Sequence, residues 1–217
     1  MDLVRAAELT QRFSGGDLGL SLAKLESDLR GLAGPDIHAA VSVNHVTHET
    51  LEAAALLKVV AGQINVTIHA LGTLLCLPHL LKADEYVVSL SLGAGNTGKL
   101  WDLETDRRIA EFKFISWRGG SETTRQNSLF KDFFYLAEHD THKSKHLYVL
   151  GTEIPVKFLS GQRALTSVLS RNAKLKHDVT SRYSDLKVVN EYYLPRRHLV
   201  SIEDVTPYVG SLVATEV

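Results

Sequence analysis

Asp102, Glu111 and Lys113 are the residues of this chain whose types and spacing could do chemistry. They lie in WDLETDRRIAEFKF, Trp101 to Phe114. The stretch has the period-two alternation of a two-stranded hairpin. Leu100, Asp102, Ile109, Glu111 and Lys113 fall on one face, and Trp101, Leu103, Ala110, Phe112 and Phe114 on the other. The second set is an apolar face ready for burial. With Thr105 to Arg108 as the loop, Asp102 stands across from Glu111, with Cβ atoms roughly 5 Å apart. Like charges in that position repel unless a cation lies between them, and a divalent metal held by oxygen ligands is such a cation. The plainer alternative is a surface hairpin with Glu-Lys pairing along or across a strand.

The elements that must position this trio can be read in order. Residues 2–33 have helical spacing with a break at Ser14-Gly15-Gly16, and Asp17 is suited to cap the second piece. A long apolar helical region runs from Thr47 or His48 to Leu81, with breaks expected near Gly62 and Pro78; Gln63, Asn65 and His69 are polar residues within it. Glu85 to Leu92 alternates and is β-branched, as a strand is. Ser121 to Glu138 is helical, with an apolar stripe of Leu129, Phe130, Phe133, Leu136 and Ala137, and it carries Arg125, Gln126 and Lys131. His139 to Lys145 reads as a loop and His146 to Gly151 as a buried strand. Pro155 suits a first helical turn, and Val156 to Arg171 follows as a helix with Gly161 a weak point. After a polar helical stretch to about Arg182, Leu186 to Tyr193 and His198 to Ile202 read as strands, and residues 204–217 as a loose end.

Composition narrows the function classes. The 217 residues suffice for one domain with a full core and a helical extension. A net charge of −1 gives no global attraction to nucleic acid, so any such surface must be a local patch. The single cysteine, Cys76, excludes internal disulfides and fits a reducing cytoplasm; it reads as a small buried hydrophobe. The opening MDLVRAAELTQRF lacks a basic segment followed by an apolar run, so no secretory leader is expected. No segment approaches the ~18 uninterrupted apolar residues of a membrane span. His38, His45 and His48 match no standard zinc spacing.

Gly93 to Leu100 contains both G-x-G-x-x-G and G-x-x-x-x-G-K. A phosphate-binding P-loop needs Ser or Thr after the lysine and a helix behind it; here Leu100 and a strand follow. The loop reads instead as a glycine-rich connection between antiparallel strands, from which Lys99 could touch a phosphate.

An acid on one strand followed by Glu-x-Lys on the next, here Asp102 and Glu111-Phe112-Lys113, resembles the PD-(D/E)xK, or restriction-endonuclease-like, nuclease superfamily. Trp101 stands where that motif's proline would be. The order helix, strand, strand, strand, helix, strand agrees with the family's αβββαβ core. The resemblance implies an α/β fold with a mixed central sheet flanked by helices, over about residues 50–171 of a domain spanning 49–217, preceded by an N-terminal helical extension over 1–48. It implies magnesium or manganese on Asp102, Glu111 and the backbone carbonyl of Phe112. Lys113 would orient or activate water, with a lowered pKa if buried beside the metal. His69 is a candidate further ligand, because some relatives place a metal-binding or substrate-facing side chain on the helix before the sheet; a core histidine bonded to a backbone carbonyl is the competing reading. Gln126-x-x-x-Phe130 is similar to the Gln-x-x-x-Tyr element of RecB-type members, without the hydroxyl. Lys99, Arg118, Arg125 and Gln126 are the candidate nucleic-acid contacts. The implied activity is hydrolysis of nucleic-acid phosphodiesters, DNA first, in restriction, defence or repair, by a cytoplasmic protein that could act as a homodimer. A binding module that keeps the fold without turnover is the alternative.

Overall fold

The computed structural model describes residues 1–15, 17–30, 36, 37, 40, 43–93, 98–114, 117 and 123–210. Arg118, His38, most of the Gly93–Lys99 loop and the last seven residues lie outside this set. The chain forms two compact units, Met1–Asn65 and Val66–Val217.

In the first unit, α1 (Leu3–Ser14) and α2 (Leu18–Leu29) are capped as their sequences suggest. The Asp2 carboxylate accepts the Arg5 N–H at 2.8 Å, and Asp17 accepts that of Leu20 at 3.0 Å. Ala6 and Leu9 of α1 bury against Ala53, Leu56 and Leu57. Those three belong to α3 (His48–Leu80), whose start Thr47 caps by accepting the Thr50 N–H at 3.0 Å. The expected breaks at Gly62 and Pro78 do not occur; the helix is continuous, and Pro78 falls in its last turn. An 18-residue window of α3 is long and apolar enough to cross a membrane by length and composition, and 17% of it is buried. It is apolar on average without being uninterrupted, since it tolerates Gln63, Asn65 and His69. Its second half packs on a sheet through Ile68, Cys76, Leu77 and Leu80.

The second unit is built on a mixed five-stranded sheet in the order β1 (Val87–Leu90), β2 (Leu103–Thr105), β3 (Arg108–Lys113), β4 (Ser144–Val149), β5 (Ser201–Asp204). β1, β2 and β3 pair antiparallel; β3–β4 and β4–β5 are parallel. Parallel neighbours need a crossover, and α4 (Thr123–Glu138) supplies the one between β3 and β4. The β2–β3 register pairs Leu103 with Ala110 and Glu104 with Ile109. Thr105 fixes the turn, its hydroxyl accepting the N–H groups of Arg107 at 3.0 Å and Arg108 at 2.9 Å.

Alternation along β3 then sorts its side chains. Ala110 and Phe112, with Leu103, Phe114 and Tyr148, bury on the α3 side. Ile109, with Leu147 and Val149, buries against Leu129, Phe130, Phe133 and Leu136 of α4. Trp101 departs from the alternation and joins the α4 side, because Trp101 and Asp102 form a bend before β2 begins. A buried polar knot fastens the hairpin on the α3 side. Arg108 donates Nε and Nη2 to the two Glu85 oxygens at 2.6 Å each, and Nη1 to the Tyr148 hydroxyl at 2.9 Å.

The C-terminal third corrects four expectations. Val156 to Arg171 is not one helix but α5 (Glu153–Leu159) and α6 (Leu165–Leu169). The chain turns at Gly161, where a Cβ would lie 3.0 Å from the Lys157 carbonyl oxygen. After α7 (Ala173–Arg182), Leu186 to Tyr193 is not a strand: α8 (Val189–Arg196) occupies it. The Glu191 carboxylate accepts the N–H groups of Lys187 at 2.6 Å and Val188 at 3.1 Å, so capping overrides the β-branched pair at its start. The last strand shifts to Ser201–Asp204, and part of the presumed loose end is ordered. Val205 and Val209, the latter in α9 (Thr206–Val209), bury with Phe112, Phe114 and Tyr148.

Two glycines of α3 should respond oppositely to alanine. At Gly72 a Cβ would meet the Phe114 ring at 2.9 Å, whereas at Gly62 it meets nothing within 4 Å. Gly62→Ala is expected to raise stability by about 0.5–1 kcal/mol through helix propensity, and Gly72→Ala to lower it by about 1–3 kcal/mol through overpacking. Thermal unfolding of the two variants checks the opposite signs.

Candidate active site

The three acid and amine side chains picked out by spacing converge at the end of β3. Asp102 sits in the bend opposite Glu111. Its Oδ2 accepts the Phe112 backbone N–H at 2.9 Å, and its Oδ1 lies 3.4 Å from His69 Nε2. His69, on α3, therefore bonds Asp102 and also the Ser91 backbone, as the competing reading has it, and its ring packs edge-on to Phe114 at 6.0 Å. The hydrogen bond to Asp102 outweighs burial and raises the His69 pKa. Burial alone would raise that of Asp102, but the bonds from His69 and Phe112 lower it.

Glu111 and Lys113 project from the opposite face of β3 to Phe112 and meet α4. There a residue not singled out by spacing completes the cluster: Asp132, only 2% exposed. It forms an ion pair with Lys113 Nζ and a second with Lys131 at 3.1 Å. Burial raises the pKa of the Glu111 carboxyl, reinforced by the negative charges of Asp132 and Asp102, and Glu111 also shares a hydrogen bond with Asp102. The lowered Lys113 pKa expected from the sequence is not found: burial would lower it, but the negative charges of Asp132 and Glu111 outweigh burial and raise it. Asp132 carries one signal in the sequence. It falls at helical spacing within the apolar stripe of α4, three residues after Leu129 and four before Leu136.

Glu111 and Asp132 line a cleft of about 480 Å³. Its rim carries Lys99, Lys131, Lys174 and Arg182, and its walls include Trp101, Tyr135 and His139. Trp101 and His139 pack edge to face at 5.1 Å, and Lys174 lies over the Tyr135 ring at 5.7 Å. At the far end Glu138 accepts hydrogen bonds from the Tyr183 and Tyr192 hydroxyls, each at 2.8 Å, and from Arg182 at 3.0 Å. These donors outweigh the effect of burial and lower the Glu138 pKa.

Of the expected nucleic-acid contacts, Lys99 is on this cleft. Arg125 lines a separate small cavity beside Lys113. Gln126 is only 6% exposed, inside the α4 packing, and Arg118 is outside the described residues. Lys131, Lys174 and Arg182 take the rim positions instead; the last two come from α7, far from the motif in sequence. A further histidine, His146 on β4, bonds Glu203 at 2.5 Å and Ser144 at 2.8 Å and so ties β5 to β4.

The donor set suits a hard divalent cation in one respect. Two carboxyls, Asp102 and Glu111, are held so close that they share a hydrogen bond, where a cation would relieve their repulsion. Among the described residues, no group of three or more His, Cys, Asp or Glu side chains is placed to hold a metal unaided. Magnesium does not require one, since it keeps several waters and is held by one or two carboxylates and substrate phosphate. No family model, curated protein or solved structure matches this chain.

Proposed function

We propose that this protein is a metal-dependent nuclease that hydrolyses phosphodiesters of nucleic acid, DNA first, on a restriction-endonuclease-like core. The observation that carries this reading is the cluster of Asp102, Glu111 and Lys113, with Glu111 facing a cleft whose rim bears four cationic side chains. The succession α3, β1, β2, β3, α4, β4 supports it, being the αβββαβ order with the acids at the expected strand ends. Asp102, Glu111 and the Phe112 carbonyl are the residues that would hold magnesium or manganese. A metal there would neutralise charge on the scissile phosphate and acidify a water.

The chain's own residues supply the rest. Lys99, Lys131, Lys174 and Arg182 draw a phosphate backbone to a protein without net positive charge. Lys113, kept charged by Asp132, offers an ammonium to the anion that develops at the reacting phosphorus. The His69 and Phe112 contacts hold Asp102 in one orientation, so that its carboxylate need not reorganise during reaction. The single buried thiol, Cys76, suits the reducing cytoplasm in which we place the protein.

Cleavage of labelled duplex DNA, single-stranded DNA and RNA with Mg²⁺ or Mn²⁺, against EDTA, tests the proposal. Wild type should cut at least one substrate only with metal, and Lys113→Ala should lower the rate by about 100-fold or more. Cutting that survives in Lys113→Ala would remove Lys113 from the chemistry. Binding without cutting of any substrate would make the protein a nucleic-acid-binding module on this fold.

A further inference from the structure

Glu111 and Asp132 are recessed: Asp132 is 2% exposed, Glu111 is half-buried, and both line the cleft of about 480 Å³. Pockets of that size enclose one small ligand. A single nucleotide is such a ligand; a stacked base pair with its two backbones is not. Charge leads to the same conclusion. Of the four rim cations, Lys131 pairs with Asp132 at 3.1 Å, Arg182 pairs with Glu138 at 3.0 Å, and Lys99 donates to the Leu90 carbonyl. The cleft also carries the carboxyls of Glu111, Asp132 and Glu138. Duplex-binding surfaces are strongly basic, whereas these charges nearly balance. A strand held here must therefore be held through its bases as well as its phosphates.

α4 supplies a surface for a base. Lys131, Tyr135 and His139 follow at intervals of four residues, each about 6 Å further along, so they share one side of the helix and its end, and all three line the cleft. His139 continues the last turn by donating its N–H to the Tyr135 carbonyl at 3.1 Å. Both rings are half-buried. Lys174, itself a cleft residue, lies over the Tyr135 ring at 5.7 Å, so that face of the ring looks into the cleft. This distance is near the outer limit of such a contact, and the ammonium is free to turn to a phosphate when a base takes its place. Trp101 backs the His139 ring edge to face at 5.1 Å.

We propose that the cleft takes an unpaired nucleotide, its base on Tyr135 and His139 and its neighbouring phosphodiester beside Glu111, so that the protein acts on single-stranded nucleic acid. The binding half stands on the cleft alone; that the strand is also cut there rests on the nuclease reading. Stacking on aromatic rings tolerates any sequence, because every base has a π-face. The preference is thus for an unpaired strand and not for a particular base. Duplex reaches the acids only by unpairing, at a cost that a single strand does not bear.

Fluorescence anisotropy in EDTA, where no metal-dependent cleavage proceeds, tests the binding. A short labelled DNA strand should bind wild type about tenfold or more tightly than the same strand annealed to its complement. An abasic strand of equal length, which keeps the phosphates and loses the bases, should bind about tenfold more weakly than the intact strand. His139→Ala and Tyr135→Leu should each weaken single-strand binding about five- to tenfold. Tyr135→Phe, which keeps the ring and loses the hydroxyl bond to Asp178, should retain wild-type affinity. Circular dichroism of each variant verifies its fold, and the abasic comparison needs wild type alone. Duplex bound as tightly as single strand, an abasic strand bound as tightly as the intact one, or unchanged affinity in both His139→Ala and Tyr135→Leu would overturn the proposal. An RNA strand bound more tightly than DNA of the same sequence would uphold the preference for unpaired nucleotides and make RNA the substrate. Single-strand binding by a protein that cuts nothing would uphold the cleft and count against the nuclease reading; metal-dependent cutting of duplex with no preference for single strands would do the reverse.

Discussion

If the protein is the proposed nuclease, Glu111→Gln is expected to end its metal-dependent cleavage, and in any case to make the protein more stable. The Glu111 carboxyl is half-buried between Asp102 and Asp132, and burial with the two neighbouring negative charges raises its pKa above the ordinary value. An acid whose folded pKa is raised destabilises the fold at every pH above its unfolded pKa, increasingly so until the folded pKa is reached. Glutamine keeps the shape and the hydrogen-bonding capacity without that penalty. The expected gain is about 1–3 kcal/mol near neutral pH, larger at pH 8 than at pH 5, which in a protein of this size is several degrees in Tm. Cleavage should fall by about 100-fold or more, because the amide carries no charge to offer a divalent cation. Thermal melts at the two pH values and a cleavage time course provide both readouts. A variant that loses cleavage without gaining stability would mean that Glu111 is accommodated by an environment other than the one described.

Arg108→Met carries the largest expected structural effect. Arg108 is held by Glu85 and Tyr148, and the Glu85 side chain is fully buried. Removing the guanidinium leaves a buried carboxylate whose remaining donors, among the described residues, are the Thr105 hydroxyl at 2.7 Å and the Lys82 N–H at 3.3 Å. The loss should be about 3–5 kcal/mol, read as a fall in the urea midpoint. Replacing both partners, Glu85→Leu with Arg108→Met, should recover most of it, because no charge is then stranded. The same pair sets an acid limit on stability. Burial alone would raise the Glu85 pKa, but the hydrogen bonds from Arg108, Thr105 and Lys82 bring it from 4.5 down to about 2. The folded pKa is the lower one, so the contribution is complete above about pH 5 and disappears as pH falls toward 2, amounting to about 3 kcal/mol. Wild type should lose stability over that interval, and Glu85→Gln should lose less across it.

Much of this architecture could be read from local chemistry. The β2–β3 hairpin was legible because alternation and a short polar loop fix a register, and that register sets Asp102 against Glu111. The helix α4 was legible from its stripe. Asp132 was missed because an acid beside a lysine on a helix reads as surface charge; only the packing of α4 on β3 buries it. Lys174 and Arg182 reach the cleft because α7 packs there, which no local pattern encodes. Trp101 lies on the face opposite to the one alternation predicts, because alternation holds only while the chain remains a strand, and it bends just before Leu103. The run at 186–193 departs from its pattern for a related reason: side-chain type predicts a strand, but Glu191 satisfies the amides of a helix start.

β5 is the last strand among the described residues, yet it pairs in parallel with β4, more than fifty residues upstream, and is followed by the buried Val205 and Val209. The order of synthesis therefore matters. A nascent chain can close the β1–β3 hairpins and dock α4 from contacts that are near in sequence. It cannot complete the sheet, or cover Phe112 and Tyr148, until Val209 has left the ribosome. Such distant pairing is slow to form, and until it forms β4 is an open edge exposed to neighbouring chains. Yield on expression should consequently depend on the residues around Ser201–Val209 more steeply than their distance from the acids would suggest.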